Sequence, residues 1–230
     1  MSTRIALIGA QGRMGRYSDE LVGEHADFQV VCRVTRDQNL AAELERTRPD
    51  IGLDFTRAGL GRDHGVTLLR AGTRPLIGTS GMQPEDDHVL HELALELGLG
   101  GLVVPNFSVG VWLQQKLALL AAQHLDQVEI LEEHHIGKTD SPSGTAVDTA
   151  LQLSESLGCP REQIPIHSIR LPGLYSNQTV LLGGPGQILR LTHETYGLEA
   201  FGPGILAALS YLIQAPPGVQ RGVGHALENH

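Results

Sequence analysis

The sequence predicts an α/β chain in which a doubly wound parallel sheet precedes a second, α+β domain. Three observations carry this reading. From residue 4 to about 107, short apolar runs alternate with longer amphipathic stretches, the rhythm of parallel strands joined by helical crossovers. A glycine-rich turn, GAQGRMG at 9–15, follows the first of those runs directly. After Val109 the rhythm changes to helix, strand, helix and then three strand-like runs in succession.

The five strand candidates of the first half are RIALIG, FQVVCRV, IGLDFT, PLIGTS and LVVPNF. The fourth crossover, PEDDHVLHELALELG, is the clearest helix. Pro84 and three acids suit its first turn, apolar residues recur at Val89, Leu90, Leu93 and Leu97, and Gly98 can end it. In the second half, VGVWLQQKLALLAAQHL reads as a helix, VEILEEHH as a strand and TAVDTALQLSESLG as a helix. IPIHSIRL, QTVLLGG and QILRLTHE read as strands, the last two joined by a hairpin turn at Gly183-Gly184-Pro185-Gly186. The apolar helix ILAALSYLI stops before Pro216-Pro217, and the polar tail carries no catalytic cluster. Its return after the α+β half predicts one domain from residues 1–107 and 202–230, and a second from 108–201, with hinges near Phe107 and Phe201.

The 230 residues, 41% of them hydrophobic, suffice for a substantial core. Seventeen basic against 26 acidic residues give a charge of −9, which disfavours general binding to nucleic acid or anionic lipid, so an anionic ligand must be held by local features. No apolar run of about 18 residues offers a membrane span, and MSTRIALIGA reads as an immediate first strand, so a cytoplasmic location is expected. Cys32 and Cys159 stand far apart without a CxxC, which points to two buried thiols and to neither a disulfide framework nor a cysteine zinc site.

Aligned to G-x-G-x-x-G, the first turn puts Ala10, Gly12 and Gly15 at the three glycine positions, so alanine replaces the first glycine, with Gly9 just before. Small residues let backbone approach a pyrophosphate, and a helix N-terminus offers unpaired N–H groups, so the position after the first strand favours dinucleotide binding over a ligand-free tight turn. The second strand ends Cys32-Arg33-Val34-Thr35-Arg36-Asp37, and the acid expected to hold NAD ribose hydroxyls is replaced there by Thr35 and Arg36. A guanidinium in that place favours NADPH, with NADH still possible; Arg36 as a solvated surface residue is the alternative.

EEHHIGKTDSPSGTA at 132–146 concentrates cationic groups and helix-entry amides. On a strand, Val128, Ile130, Glu132 and His134 share one face and Glu129, Leu131, Glu133 and His135 the other, so one histidine can serve as acid while the second lines or supports the pocket. Lys138 supplies a flexible ammonium for a substrate carboxylate or ring nitrogen. Ser143 can cap the next helix and Gly144 can let a carboxylate reach its N-terminus; an ordinary capped helix is the alternative. Adjacent histidines lack the i, i+4 spacing of a zinc motif, so no metal is expected.

Taken together, these pieces resemble the 4-hydroxy-tetrahydrodipicolinate reductase (dihydrodipicolinate reductase) family of lysine and diaminopimelate biosynthesis. The resemblance runs through GAQGRMG, DFT at 54–56, GTSG at 78–81, PNFSVGV at 105–111, EEHHIGKTDSPSGTA and LTH at 191–193. It implies a Rossmann-type nucleotide domain with a substrate and oligomerisation domain, NADPH or NADH as cofactor, a small dicarboxylate substrate and a homotetramer. It places cofactor contacts at Gly9, Gly12, Arg13, Met14 and Gly15, at Phe55, at Gly78, Thr79 and Ser80, and at Pro105, Asn106 and Phe107. It makes His134 the proton donor, His135 a substrate-binding residue, Lys138 the catalytic lysine, and Gly144 and Thr145 the holders of a substrate carboxylate. His134, with an ordinary pKa near 6.5 and open to upward shift beside two carboxylates, suits general-acid work. Departures from the family pattern are Trp112, Ile136-Gly137, Gly186-Gln187, and Leu198 in a segment that usually carries arginines after Thr-His. Two other readings remain: an amino-acid or semialdehyde dehydrogenase on the same two-domain plan, or a cofactor-binding protein without activity.

Overall fold

In the computed structural model, which describes residues 2–228, the chain separates into two compact units. One comprises the residues up to Phe107 together with those from Phe201 onward, the other Ser108–Ala200.

The first unit opens with β1 (Thr3–Ile8), α1 (Arg13–Gly23), β2 (Phe28–Val34), α2 (Leu40–Thr47), β3 (Ile51–Asp54), α3 (Gly61–Arg70), β4 (Arg74–Ile77), α4 (Pro84–Leu97) and β5 (Gly100–Val103). All four residues of β3 and of β5 are buried, as expected of strands covered on both faces. Ile8, Val34, Leu68, Ile77, Leu90 and Val103 belong to one apolar cluster. Each such side chain contributes roughly 1.5–3 kcal/mol by leaving water. α4 starts and stops where its sequence directs. Pro84 sits in its first turn, Gln83 and Asp86 form a reciprocal capping box, and Gly98 takes the left-handed conformation at its end.

The second unit contains α5 (Val109–Ala122), β6 (Gln127–His134), α6 (Gly144–Leu157), β7 (Ile166–Arg170), β8 (Ser176–Gly184) and β9 (Gln187–His193). Its sheet has the order β7-β6-β8-β9, with β6 parallel to β7 and antiparallel to β8. The β8–β9 hairpin turns at Pro185-Gly186, where Gly186 has φ +75°. Ala118, Ile130, Ala146, Ala150, Leu153, Val180 and Leu182 form the core between helices and sheet. Gln114 of α5 donates to the carbonyls of Gln178 and Leu191, tying the helix to β8 and β9.

The chain then returns to the first unit with α7 (Gly202–Leu212), β10 (Gly218–Arg221) and α8 (Gly224–Leu227). β10 is a sixth strand within the stretch that reads as a polar tail. It pairs in parallel with β5, and the sheet order becomes β10-β5-β4-β3-β1-β2. His91 of α4 fastens it through the carbonyl of Val219. Because the chain runs from β1 outward to β2 and then back past β1 to β3, the order reverses at the β1/β3 boundary, where open α/β sheets present a crevice beyond the strand ends. Cys32 is buried as its sequence predicts, whereas Cys159 is only half-buried beyond the end of α6. No helix among the described residues is long and apolar enough to cross a membrane.

Candidate active site

Two groups of residues stand at strand ends, one in each unit. In the first, Gly9 has φ +81°, and a Cβ there would lie 2.6 Å from the Phe55 carbonyl oxygen. A Cβ at Gly15 would overlap the Gly9 carbonyl oxygen and crowd the Ala10 backbone. These two glycines close the turn over β1 and let α1 begin under it. Gly12 is the N-cap of α1, with no side chain capping the helix, so its first amides face an exposed turn. Arg13 is exposed and Met14 half-buried on the same turn. The Gly9 amide donates to the Val34 carbonyl at 3.0 Å, which brings the end of β2, and hence exposed Arg36 two residues on, to the same edge.

Phe55, Gly78 and Phe107 meet beyond β3, β4 and β5. The two rings are 5.5 Å apart, edge to face, and a Cβ on Gly78 would strike both. Thr79 is buried and donates to Asp54 Oδ1 at 3.0 Å, Ser80 and Pro105 are exposed, and Asn106 is half-buried. Asp54, fully buried, also accepts from the Thr56 amide at 2.8 Å and pairs with His64 Nδ1 at 2.9 Å. Sequence reading missed this brace of Asp54, Thr56, His64 and Thr79. Its signal was an acid ending an otherwise apolar strand.

In the second unit, β6 ends at His134 and His135 starts the following turn, where the Lys138 amide donates to the His135 carbonyl at 3.0 Å. The alternation along β6 is the expected one: Val128, Ile130, Glu132 and His134 are buried, and His135 is half-buried beside Gly137. Ser143 caps α6 by accepting from the Ala146 amide. Gly144 is exposed, with nothing within 4 Å of a Cβ built on it, so packing does not require a glycine there. Thr145 is half-buried beside it.

Two partners that the sequence did not reveal surround these residues. Register places Arg170 of β7 and Ser176 of β8 on either side of His134. Arg170 grips Glu132 with two hydrogen bonds of 2.9 and 2.8 Å, and Glu132 in turn lies 2.5 Å from His134 Nδ1. Ser176 Oγ is 3.1 Å from His134 Nε2. Arg170 lies 38 residues from Glu132 in the chain, so no local pattern could have joined them. The Glu132 side chain has no solvent exposure, and removing its guanidinium partner would leave a buried charge unpaired, at a cost of about 3–5 kcal/mol.

Two expectations are corrected here. His134 does not shift upward: burial pushes its pKa below the ordinary histidine value, the Glu132 carboxylate offsets this only partly, and the Lys138 and Arg170 cations push it further down. Lys138 is not a free ammonium either, because both oxygens of Asp140 hold its Nζ, at 2.8 and 2.7 Å. That pairing holds the Asp140 carboxyl below its usual range. For Glu132, burial raises the pKa, but hydrogen bonds from Arg170, Ser168 and His134 outweigh it and leave the value lowered.

A buried histidine backed by a carboxylate, a nearby ammonium and a helix N-terminus can protonate and hold an anionic substrate. The glycine turn of the other unit fits a dinucleotide, since its glycines keep the space that side chains would fill. Comparison with known proteins identifies the family. The family model described as "Dihydrodipicolinate reductase, N-terminus" matches residues 3–107, and that described as "Dihydrodipicolinate reductase, C-terminus" matches residues 110–223. The 4-hydroxy-tetrahydrodipicolinate reductase of Legionella pneumophila (strain Paris) is 36% identical over 225 residues, covering 90% of this chain and 93% of the relative. That of Geobacillus kaustophilus (strain HTA426) is 36% identical over an alignment of 267, covering 99% and 100%. Among solved structures, dipicolinate-bound dihydrodipicolinate reductase from Paenisporosarcina sp. TG-14 superposes with a TM-score of 0.85 at 30% identity, covering 97% of this chain and 98% of that one. An amine dehydrogenase from Mycobacterium smegmatis, at 14% identity and a TM-score of 0.64, shares the fold alone. Two family models that together span nearly the whole chain, and relatives matched along almost their full lengths, place this chain in the dihydrodipicolinate reductase family.

Proposed function

We propose that this protein is a nicotinamide-dependent oxidoreductase that reduces 4-hydroxy-tetrahydrodipicolinate to tetrahydrodipicolinate in lysine and diaminopimelate biosynthesis, with His134 as the proton donor. The observation that carries the residue assignment is the buried His134, whose Nδ1 is occupied by Glu132 while Nε2 stands beside a hydroxyl. A bound reduced nicotinamide supplies the hydride.

In this reading the unit up to Phe107 with the return from Phe201 binds the dinucleotide, and the unit Ser108–Ala200 binds substrate and forms the oligomer. Gly9, Gly12, Arg13, Met14 and Gly15 receive the pyrophosphate at the N-terminus of α1. Gly78, Thr79, Ser80, Pro105 and Asn106, with the Phe55 and Phe107 rings, bound the nicotinamide neighbourhood, and the buried Asp54 brace keeps Thr79 in place. Arg36 selects NADPH, because a guanidinium meets the 2′-phosphate where a carboxylate would repel it; NADH is accepted more weakly.

Gly144 and Thr145 hold one substrate carboxylate with the α6 amides, and open space at Gly144 supports that role. His135 binds the substrate beside them. Lys138 exchanges part of its pairing with Asp140 for the charge that develops on the ring nitrogen or its neighbouring carboxylate. His134 then delivers a proton to the electron-rich ring carbon. Leucine at 198 and isoleucine at 136 leave fewer cations around the substrate than the family pattern supplies, which weakens affinity more than chemistry. A homotetramer in the cytoplasm is the assembly and location this reading carries.

The test is kinetic. His134→Gln and Lys138→Ala should each lower turnover by roughly 10²-fold or more, the scale of general-acid and electrostatic contributions. Near-normal rates in both variants contradict the assigned roles.

A further inference from the structure

We propose that Arg170 and Glu132 are positioning residues for the proton donor: they hold neutral His134 with its hydrogen on Nδ1, so that Nε2, beside the Ser176 hydroxyl, is the atom that takes up and delivers the proton. This rests on the reading of His134 as the acid, and adds which atom acts and what fixes it.

Glu132 sets the tautomer. Its side chain is wholly excluded from solvent, yet it accepts from both terminal nitrogens of Arg170, at 2.9 and 2.8 Å, and from the Ser143 amide at 3.3 Å. A carboxylate so supplied with donors stays ionised. An ionised carboxylate can only accept hydrogen bonds. The atom 2.5 Å from its Oε2 is His134 Nδ1, which must therefore carry a hydrogen in the neutral as well as in the protonated imidazole.

Nε2 is then the titrating nitrogen. In the neutral ring it accepts from Ser176 Oγ, 3.1 Å away; in the protonated ring it donates, to that oxygen or to a substrate atom that takes its place. A hydroxyl serves both charge states, because its hydrogen rotates to suit. In the proton-transfer step the Nε2–H bond breaks, the proton passes to the ring carbon, and His134 is left neutral with Nδ1–H intact. Solvent restores the proton afterwards.

Arg170 is itself anchored. It donates to the carbonyl of Ile169 at 2.7 Å and to that of Asp140 at 2.8 Å. Asp140 is the residue whose carboxylate holds Lys138. One guanidinium therefore fixes the orientation of the imidazole through Glu132 and the turn that carries the ammonium through Asp140. The charged groups facing His134 are Glu132 from its own strand, Arg170 from β7 and Lys138 from the turn.

Nitrogen-15 NMR of the labelled full-length protein reads the tautomer without substrate or turnover. Neutral His134 should show a protonated Nδ1 and an unprotonated Nε2; the reverse pattern overturns the proposal. Glu132→Gln removes the charge that favours imidazolium, so the His134 pKa falls and the alkaline limb of kcat/KM moves to lower pH. Activity at neutral pH should drop by about 10-fold or more and recover partly on acidification, with the KM for NADPH unchanged. A loss uniform across pH would mean a merely structural role and overturn the assignment. If Glu132→Gln does not fold, the wild-type tautomer still decides. If wild-type protein lacks reductase activity, the functional reading fails while the tautomer measurement stands.

Discussion

His134 Nδ1 lies 2.5 Å from Glu132 Oε2, two residues back on the same buried face of one strand. A histidine so placed is held from behind by a carboxylate, but burial still dominates its proton affinity and lowers its pKa.

The pH dependence follows from that sign. A general acid must be protonated, so the rate falls as pH rises through its pKa. Because the folded His134 pKa lies below the ordinary value near 6.5, the alkaline limb of kcat/KM that belongs to the free enzyme should fall below that value. The limb of kcat should lie higher, since bound substrate carboxylates favour the imidazolium. A kcat/KM limb due to His134 above 6.5 contradicts this account. The same lowered pKa adds stability that is present above the unfolded value and lost as pH falls through the folded one.

Two glycine-to-alanine changes should part company. Gly15→Ala drives a Cβ into the Gly9 carbonyl oxygen and the Ala10 backbone, so it should lose cofactor affinity and thermal stability together. Gly144→Ala meets only open space and should leave stability within about 0.5 kcal/mol while raising the substrate KM. Calorimetry and steady-state kinetics separate the two. A destabilised Gly144→Ala, or a Gly15→Ala with normal cofactor binding, would count against the assigned sites.

Arg36→Ala should raise the KM for NADPH more than that for NADH, by about tenfold if a charge-assisted phosphate contact is lost. Equal effects on both cofactors remove Arg36 from the phosphate site.

Much of this was legible in the sequence, for local reasons. α4 announces itself through Pro84, three acids and Gly98, because helix ends are specified by residues next to them. Alternation along VEILEEHH places His134 on the buried face of β6 and His135 off it, since side chains on a strand have a period of two. β10 escaped notice because Gly218-Val219-Gln220-Arg221 follows two prolines and carries too few apolar residues for a pattern; its strand character comes from β5 beside it. Arg170 and Ser176 escaped for the same kind of reason. Their bearing on His134 is a matter of strand register across the sheet, which neither spacing nor composition records. Even the sign of the His134 pKa shift required the fold, because neighbouring carboxylates are visible in a sequence and desolvation is not.

The most direct test of the central claim is the loss of NADPH absorbance on adding freshly made condensation product of pyruvate and aspartate semialdehyde. The account predicts NADPH oxidation that requires this product and is abolished or reduced by roughly 10²-fold in His134→Gln. NADPH binding without oxidation, or oxidation driven equally well by an unrelated amino or keto acid, would contradict it.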